Sequence, residues 1–193
     1  HDELKKAGAC FGASSGFERP MWFSRNGEKA QYKYSYNYQN WYPAAEYETK
    51  NTRENVGLFE LTPFSKYELK CETAHDELQR ICTANIKNEI GKCTYTQMLN
   101  KDGGIETDLT VVKIAENKFR IITAAANKER DKFHIQKNLS EDIKLLDVTD
   151  DYCVLGVFGP KSIDLMKDLS DDDYSNENFK FGTAKYVTVN QEQ

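Results

Sequence analysis

Tyr95-Thr-Gln-Met-Leu-Asn-Lys-Asp-Gly-Gly-Ile-Glu-Thr-Asp-Leu-Thr-Val-Val112 reads as two β-strands joined by a tight turn. Asp102-Gly103-Gly104 supplies the turn, because glycine accepts the positive φ that hairpin loops need. Strand side chains alternate, so Tyr95, Gln97 and Leu99 share one face, and Thr96 and Met98 the other. On the return strand Asp108, Thr110 and Val112 fall together, opposite Leu109 and Val111; Glu106 lies two residues back on the Asp108 face. A carboxylate therefore stands in a largely apolar strand, close behind a glycine turn. By spacing alone, such a strand-end aspartate simply faces water.

Moving outward, the flanking segments alternate between strand and helix periodicity. Upstream, Ala44–Asn55 predicts a short helix, followed by strands over Val56–Leu61 and Lys66–Cys71 with a turn at Pro63. Thr73 is placed to cap a helix over Ala74–Cys82 with Leu78, Ile81 and Cys82 inward. Downstream, Glu116-Asn117-Lys118 is a second turn and Phe119–Ala124 the next strand. Asn127–Leu139 predicts a helix whose Phe133 and Ile135 reach the core while its many charges face solvent. Strands over Leu145–Val148 and Val154–Phe158, a helix over Lys161–Leu169 and a last strand from Tyr186 to Val189 complete the pattern. Hairpins dominate, so the expected class is α+β with mostly antiparallel sheet and flanking helices.

Residues 1–42 have a different texture. Asp2–Ala9 reads as the last turns of a helix, and Pro20 breaks any helix in the Gly- and Ser-rich stretch that follows. Tyr32, Tyr34, Tyr36 and Tyr38 alternate strictly, which predicts an amphipathic strand or extended arm packed on a neighbouring domain. Residues 1–42 are accordingly expected to be a linker or arm, and 43–193 the principal domain.

Composition bounds the function. With 193 residues there is room for one domain with a real core, or two small ones. A net charge of −5 argues against general nucleic-acid binding, while leaving room for a local basic pocket. No apolar run approaches the ~18–20 residues of a membrane span, so neither nucleic acid nor membrane is an expected partner. Five cysteines without a CxxC pair give no metal-ligand spacing, and reduced thiols of a cytoplasm or mitochondrial matrix are the expectation. His75 and His134 sit on helices without a partner nucleophile, and neither a GxGxxG nor a GxSxG pattern occurs.

The quoted hairpin, "VGLFELTPFSKYEL" before it, and "VLGVFGPKS" and "SNENFKFGTAK" after it resemble the folate-binding region of two enzyme groups. One is the aminomethyltransferase (T protein) of the glycine cleavage system. The other is the folate-binding half of flavin-dependent dimethylglycine and sarcosine dehydrogenases. "AGACFGASSGFERPMWF" and "NWY" resemble the junction between flavin and folate domains in the second group, and so place the chain nearer the dehydrogenases. The chain starts at His1, not at methionine, which fits a piece of a longer polypeptide.

The resemblance implies a ring-like folate-binding fold lacking its C-terminal barrel, with tetrahydrofolate as ligand and FAD in a domain outside this chain. It implies a small N-methylated amine as substrate, packing against a flavin domain, and self-association of the isolated piece through uncovered apolar surface. Asp108 falls on the family's active-site aspartate, and a carboxylate there can accept a proton from a folate amine. Tyr95 matches a family tyrosine able to stack and to make a polar contact, although a half-buried strand tyrosine is an equal reading. Thr110 is placed at the pterin edge, and Ile122 and Thr123 lie on the strand that the family runs along the pterin. Thr107 stands where the T protein often carries a second acid, and Thr123 and Val112 also depart from its usual asparagine and tyrosine. A standalone aminomethyltransferase or folate-dependent demethylase is the alternative expectation, and a non-catalytic scaffold of the same fold is a third.

Overall fold

The computed structural model describes residues 1–14, 17–25 and 27–190. The chain forms two compact units, His1–Leu58 with Val157–Ser162, and Phe59–Gly156 with Ile163–Gln193.

The first unit contains helix α1 (Asp2–Lys6), strands β1 (Ala9–Ser14) and β2 (Phe17–Phe23), and helix α2 (Tyr42–Glu54). β1 and β2 pair antiparallel, a hairpin the sequence reading passed over. Pro20 masks it in the sequence, yet Pro20 pairs with Phe11 next to an irregularity in the ladder, where a missing N–H does least harm. Cys10, Trp22 and Ala44 form a small buried cluster, with Tyr32 and Trp41 packed against it. Of the two forms expected for Tyr32–Tyr38, a strand or an extended arm, the strand does not form. Side chains take its backbone hydrogen bonds instead: Asn40 accepts from the Lys33 N–H at 2.9 Å and donates to the Gln31 carbonyl at 2.8 Å. Ser35 Oγ likewise accepts from the Asn37 N–H. Such local bonds compete with a sheet ladder, and Tyr34, Tyr36 and Tyr38 stay exposed.

β3 (Gly57–Glu60) leads into the second unit. There β4 (Ser65–Lys70), α3 (Ala74–Ile81), β5 (Cys93–Leu99), β6 (Ile105–Ala115), β7 (Lys118–Thr123), α4 (Lys128–Asn138) and β8 (Leu145–Asp147) follow in order. β9 (Leu155–Phe158) and α5 (Ser162–Leu169) come last. Five of these strands make one antiparallel sheet in the order β5-β6-β7-β4-β8. The architecture is α+β, as the sequence predicted. The turn at Gly103 has φ +81°, and Asn117 takes φ +53° in the β6–β7 turn.

One face of the sheet, here called inner, carries Tyr67, Leu69, Met98, Leu109, Val111, Phe119 and Ile121, all buried. Ala74 and Leu78 of α3 and Ile135 of α4 cover it. Phe133 does not join them and is 68% exposed. Asp131, Ile135 and Leu139 form the buried i, i+4, i+8 stripe of α4, and a residue two positions from Ile135 points to the far side. The final predicted strand is also absent, since Tyr186–Val189 has no strand ladder. Its backbone is tied by side chains, as where Asp172 accepts the Thr188 N–H at 3.0 Å.

β4 lies between β7 and β8, and its Ser65, Lys66, Tyr67, Glu68 and Leu69 are all buried. Two of these side chains are charged and point to the outer face, which needs local compensation. Glu68 receives Lys118 Nζ and Arg120 from β7, each at 2.6 Å. Lys66 Nζ donates to the Thr62 and Phe64 carbonyls at 2.8 and 2.9 Å. Burial pushes the Lys66 ammonium below its ordinary pKa.

Candidate functional site

The outer face of the sheet is where the candidate residues meet. Tyr95 pairs with Thr110 across β5 and β6, Gln97 with Asp108, and Thr110 with Ile122 across β6 and β7. Directly paired residues share a face in an antiparallel sheet, so Asp108, Thr110, Tyr95 and Ile122 occupy one patch. Thr123 is the exception. It pairs with Leu109 on the inner face and is 2% exposed, so only its backbone is available to anything on the outer one.

Within the patch the Tyr95 hydroxyl donates to Asp108 Oδ2 at 2.8 Å. Asp108 is exposed, and Tyr95 presents 64% of its surface. That hydrogen bond, and the negative charge behind it, hold the Tyr95 phenol above its ordinary pKa. Asp108 Oδ1 has no hydrogen-bond partner among the described residues. The patch therefore combines an aromatic ring, open to stacking, with a carboxylate that has one oxygen fixed and one available.

Glu106 does not contribute a second carboxylate. Its Oε2 lies 2.8 Å from the Arg130 guanidinium and its Oε1 accepts from Asn100 Nδ2 at 3.1 Å. These bonds, Arg130 first, lower its pKa and keep it ionised. Thr107 is buried, with its side chain on the inner face. Asp108 is thus the only acid of the β6 strand available on this patch.

Sequence reasoning missed the cationic neighbours. Arg120, Lys118 and Lys66 belong to the same outer face, Arg120 and Lys118 bound to Glu68 and Arg120 lying 4.0 Å over the Tyr152 ring. Charged residues in β4 and β7 look like a solvated edge in one dimension, and only the strand order reveals that they are enclosed. The visible signal was strict alternation of Lys66-Tyr67-Glu68-Leu69 with charges on one side. His75 is a satisfied histidine, with Nε2 3.1 Å from the Ile86 carbonyl oxygen. No cluster of three or more metal-ligating side chains occurs among the described residues. A concavity lined by Ile114, Arg120, Lys185 and Tyr186 shares Arg120 with this outer face, and another, within the first unit, is lined by Trp22, Arg25, Pro43 and Tyr47. Asp108 stands on an open sheet face, and it is hydrogen bonding, not depth, that distinguishes it.

Comparison with known proteins gives the chain's family. The chain is 33% identical over 190 residues to 4-methylaminobutanoate oxidase (formaldehyde-forming) of Paenarthrobacter nicotinovorans, covering 98% of this chain and 23% of that protein. It is 29% identical over 190 residues to mitochondrial dimethylglycine dehydrogenase of Rattus norvegicus, covering 97% of this chain and 22% of that protein. The chain thus spans under a quarter of the length of these two curated relatives. Among solved structures, the glycine cleavage system aminomethyltransferase T from Bartonella henselae superposes with a TM-score of 0.70 at 22% identity. That match covers 86% of this chain and 41% of the other, and it speaks to the fold. The family model for the GCVT N-terminal domain matches residues 1–193, and the chain belongs to that family.

Proposed function

We propose that this chain is the tetrahydrofolate-binding part of a flavin-dependent N-methyl amine dehydrogenase, and that its outer sheet face receives the folate. The observation that carries the reading is the Tyr95–Asp108 hydrogen bond on an exposed face, with Asp108 Oδ1 unoccupied by any described residue. A reduced folate supplies two nucleophilic amines that take up a one-carbon unit as the 5,10-methylene form. The residues present suit such a ligand: a flat ring for a flat heterocycle and a carboxylate for an amine N–H.

Asp108 accepts the proton that an amine must lose when it bonds to carbon, and Oδ1 is the oxygen free to take it. The Tyr95 hydroxyl fixes the carboxylate plane through Oδ2, which orients Oδ1 without consuming it. Thr110, beside Tyr95 on the next strand, offers a hydroxyl at the edge of the ligand. Ile122 supplies an apolar floor on the other side of Thr110. Enclosing amine and one-carbon unit together raises effective concentration and limits loss of carbon to water as formaldehyde. FAD belongs to a part of the protein outside this chain, and no residue here is assigned to it. The full protein is expected to work in a bacterial cytoplasm or a mitochondrial matrix.

The test is a calorimetric titration of tetrahydrofolate into the purified full-length protein and its Asp108→Asn variant, with methylene transfer measured in parallel. Loss of a positioned general base lowers transfer by roughly 10²–10⁴-fold. Equal affinity and equal transfer in the two proteins would dispose of the assignment.

A further inference from the structure

The β5–β6 ladder contains a displacement that decides which way Asp108 points. Leu99 pairs with Ile105, but Met98 pairs with Thr107 and Gln97 with Asp108. One residue of β6, Glu106, therefore has no counterpart on β5, which makes it a β-bulge. Continuing the Leu99–Ile105 register without the extra residue would set Asp108 opposite Thr96. Thr96 is 1% exposed on the inner face, so Asp108 would be driven into the core side of the sheet. The single inserted residue is what turns the carboxylate outward to Tyr95.

Bulges open the local ladder and need support from elsewhere. Here the support is specific. Arg130, on α4, donates to the Glu106 backbone carbonyl at 2.7 Å and lies 2.8 Å from Glu106 Oε2. One guanidinium nitrogen, Nη2, thus holds both the main chain and the side chain of the bulged residue through its two N–H groups. Asn100 closes the other side, donating to Glu106 Oε1 and accepting from the Asp102 and Gly104 N–H groups at 3.0 and 2.9 Å.

We infer that Arg130 is a positioning residue: by gripping Glu106 it maintains the bulge, and the bulge keeps Asp108 on the outer face against Tyr95. Its importance for turnover rests on the reading of Asp108 given above, but the geometry can be tested separately. Among the described residues Arg130 makes no hydrogen bond or ion pair to Asp108 or Tyr95, so its influence runs through the register. Its side chain is 53% exposed, which makes substitution compatible with folding.

The experiment uses the full-length protein labelled at tyrosine ring carbons, with the Tyr95 resonance assigned by its loss in Tyr95→Phe. In the parent protein Tyr95 ionises above the ordinary phenol range because of Asp108. Asp108→Asn removes the part of that elevation which comes from the carboxylate and sets the size of the effect against which the other variants are read. Arg130→Gln is expected to remove most of it, and Glu106→Gln, which retains the backbone acceptor, a smaller part. An unchanged Tyr95 titration in Arg130→Gln overturns the inference, whatever the protein does with folate. Should Arg130→Gln fail to fold, Arg130→Met, which likewise removes both contacts to Glu106, takes its place, and an unchanged titration there has the same meaning. A parent protein that does not bind tetrahydrofolate defeats the proposed function instead, and leaves this structural result standing.

Discussion

Glu68→Ala provides the sharpest energetic test of the fold. Its carboxylate is 6% exposed and accepts from two cations at 2.6 Å, Lys118 at 29% and Arg120 at 19% side-chain exposure. Removing one partner of a buried ion pair costs roughly 3–5 kcal/mol, because the surviving charge is left without compensation. Lys118 is close enough to water to recover part of its hydration, whereas Arg120 stays enclosed beneath Tyr152. The expected cost is therefore near the lower bound, about 3 kcal/mol, a large fraction of a typical 5–15 kcal/mol total. Lys118→Met retains the Glu68–Arg120 bond and should cost no more than about 1 kcal/mol. Urea denaturation at neutral pH reads both, as a shift in midpoint at constant slope.

Acid provides a second reading of the same site. Burial alone would raise the Glu68 pKa, but the Lys118 and Arg120 hydrogen bonds outweigh it and the net direction is down. A carboxyl depressed on folding contributes stability above its unfolded pKa, about 4.3 for glutamate, and loses that contribution as pH falls through the lower folded value. The parent protein should consequently lose stability below about pH 4 faster than Glu68→Ala does. A Glu68→Ala cost below about 1 kcal/mol, with no difference in acid sensitivity, would refute the reasoning.

Two other outcomes are expected. Ile135→Ala, at a position with no exposed surface, should destabilise by about 2–5 kcal/mol, while Phe133→Ala should change stability by no more than about 0.5 kcal/mol, both by thermal or urea unfolding. Tyr95, titrated by ring resonance, should ionise above the ordinary tyrosine range, and Asp108→Asn should lower its pKa, since a neutral neighbour no longer opposes the phenolate.

The hairpin from Tyr95 to Val112 was legible in the sequence because alternation and turn chemistry agree there. Its two glycines, its inward Met98, Leu109 and Val111 and its outward Tyr95 and Asp108 all fell where periodicity put them. The bulge at Glu106 was not legible, because a bulge is defined by the partner strand and a single strand carries no record of register. Thr123 illustrates the complementary limit: the strand was right, but parity with Leu109 assigns its side chain to the inner face. Phe133 shows that hydrophobicity alone does not place a side chain, since its helix instead buries Asp131 in the core-facing stripe. The tyrosines at 32–38 show that period-two alternation without a partner strand is an incomplete signal, since asparagine and serine side chains can satisfy the same backbone.

The strand order has a consequence for how the molecule is made. Ser65–Lys70 is the earliest part of the five-stranded sheet to be synthesised, yet its neighbours are Lys118–Thr123 and Leu145–Asp147. At roughly 5–20 residues per second, several seconds separate its emergence from that of the segments flanking it. During that wait a lysine and a glutamate destined for enclosure keep the nascent segment hydrated, and the ribosome delivers the counter-charges of Glu68 only with Lys118 and Arg120.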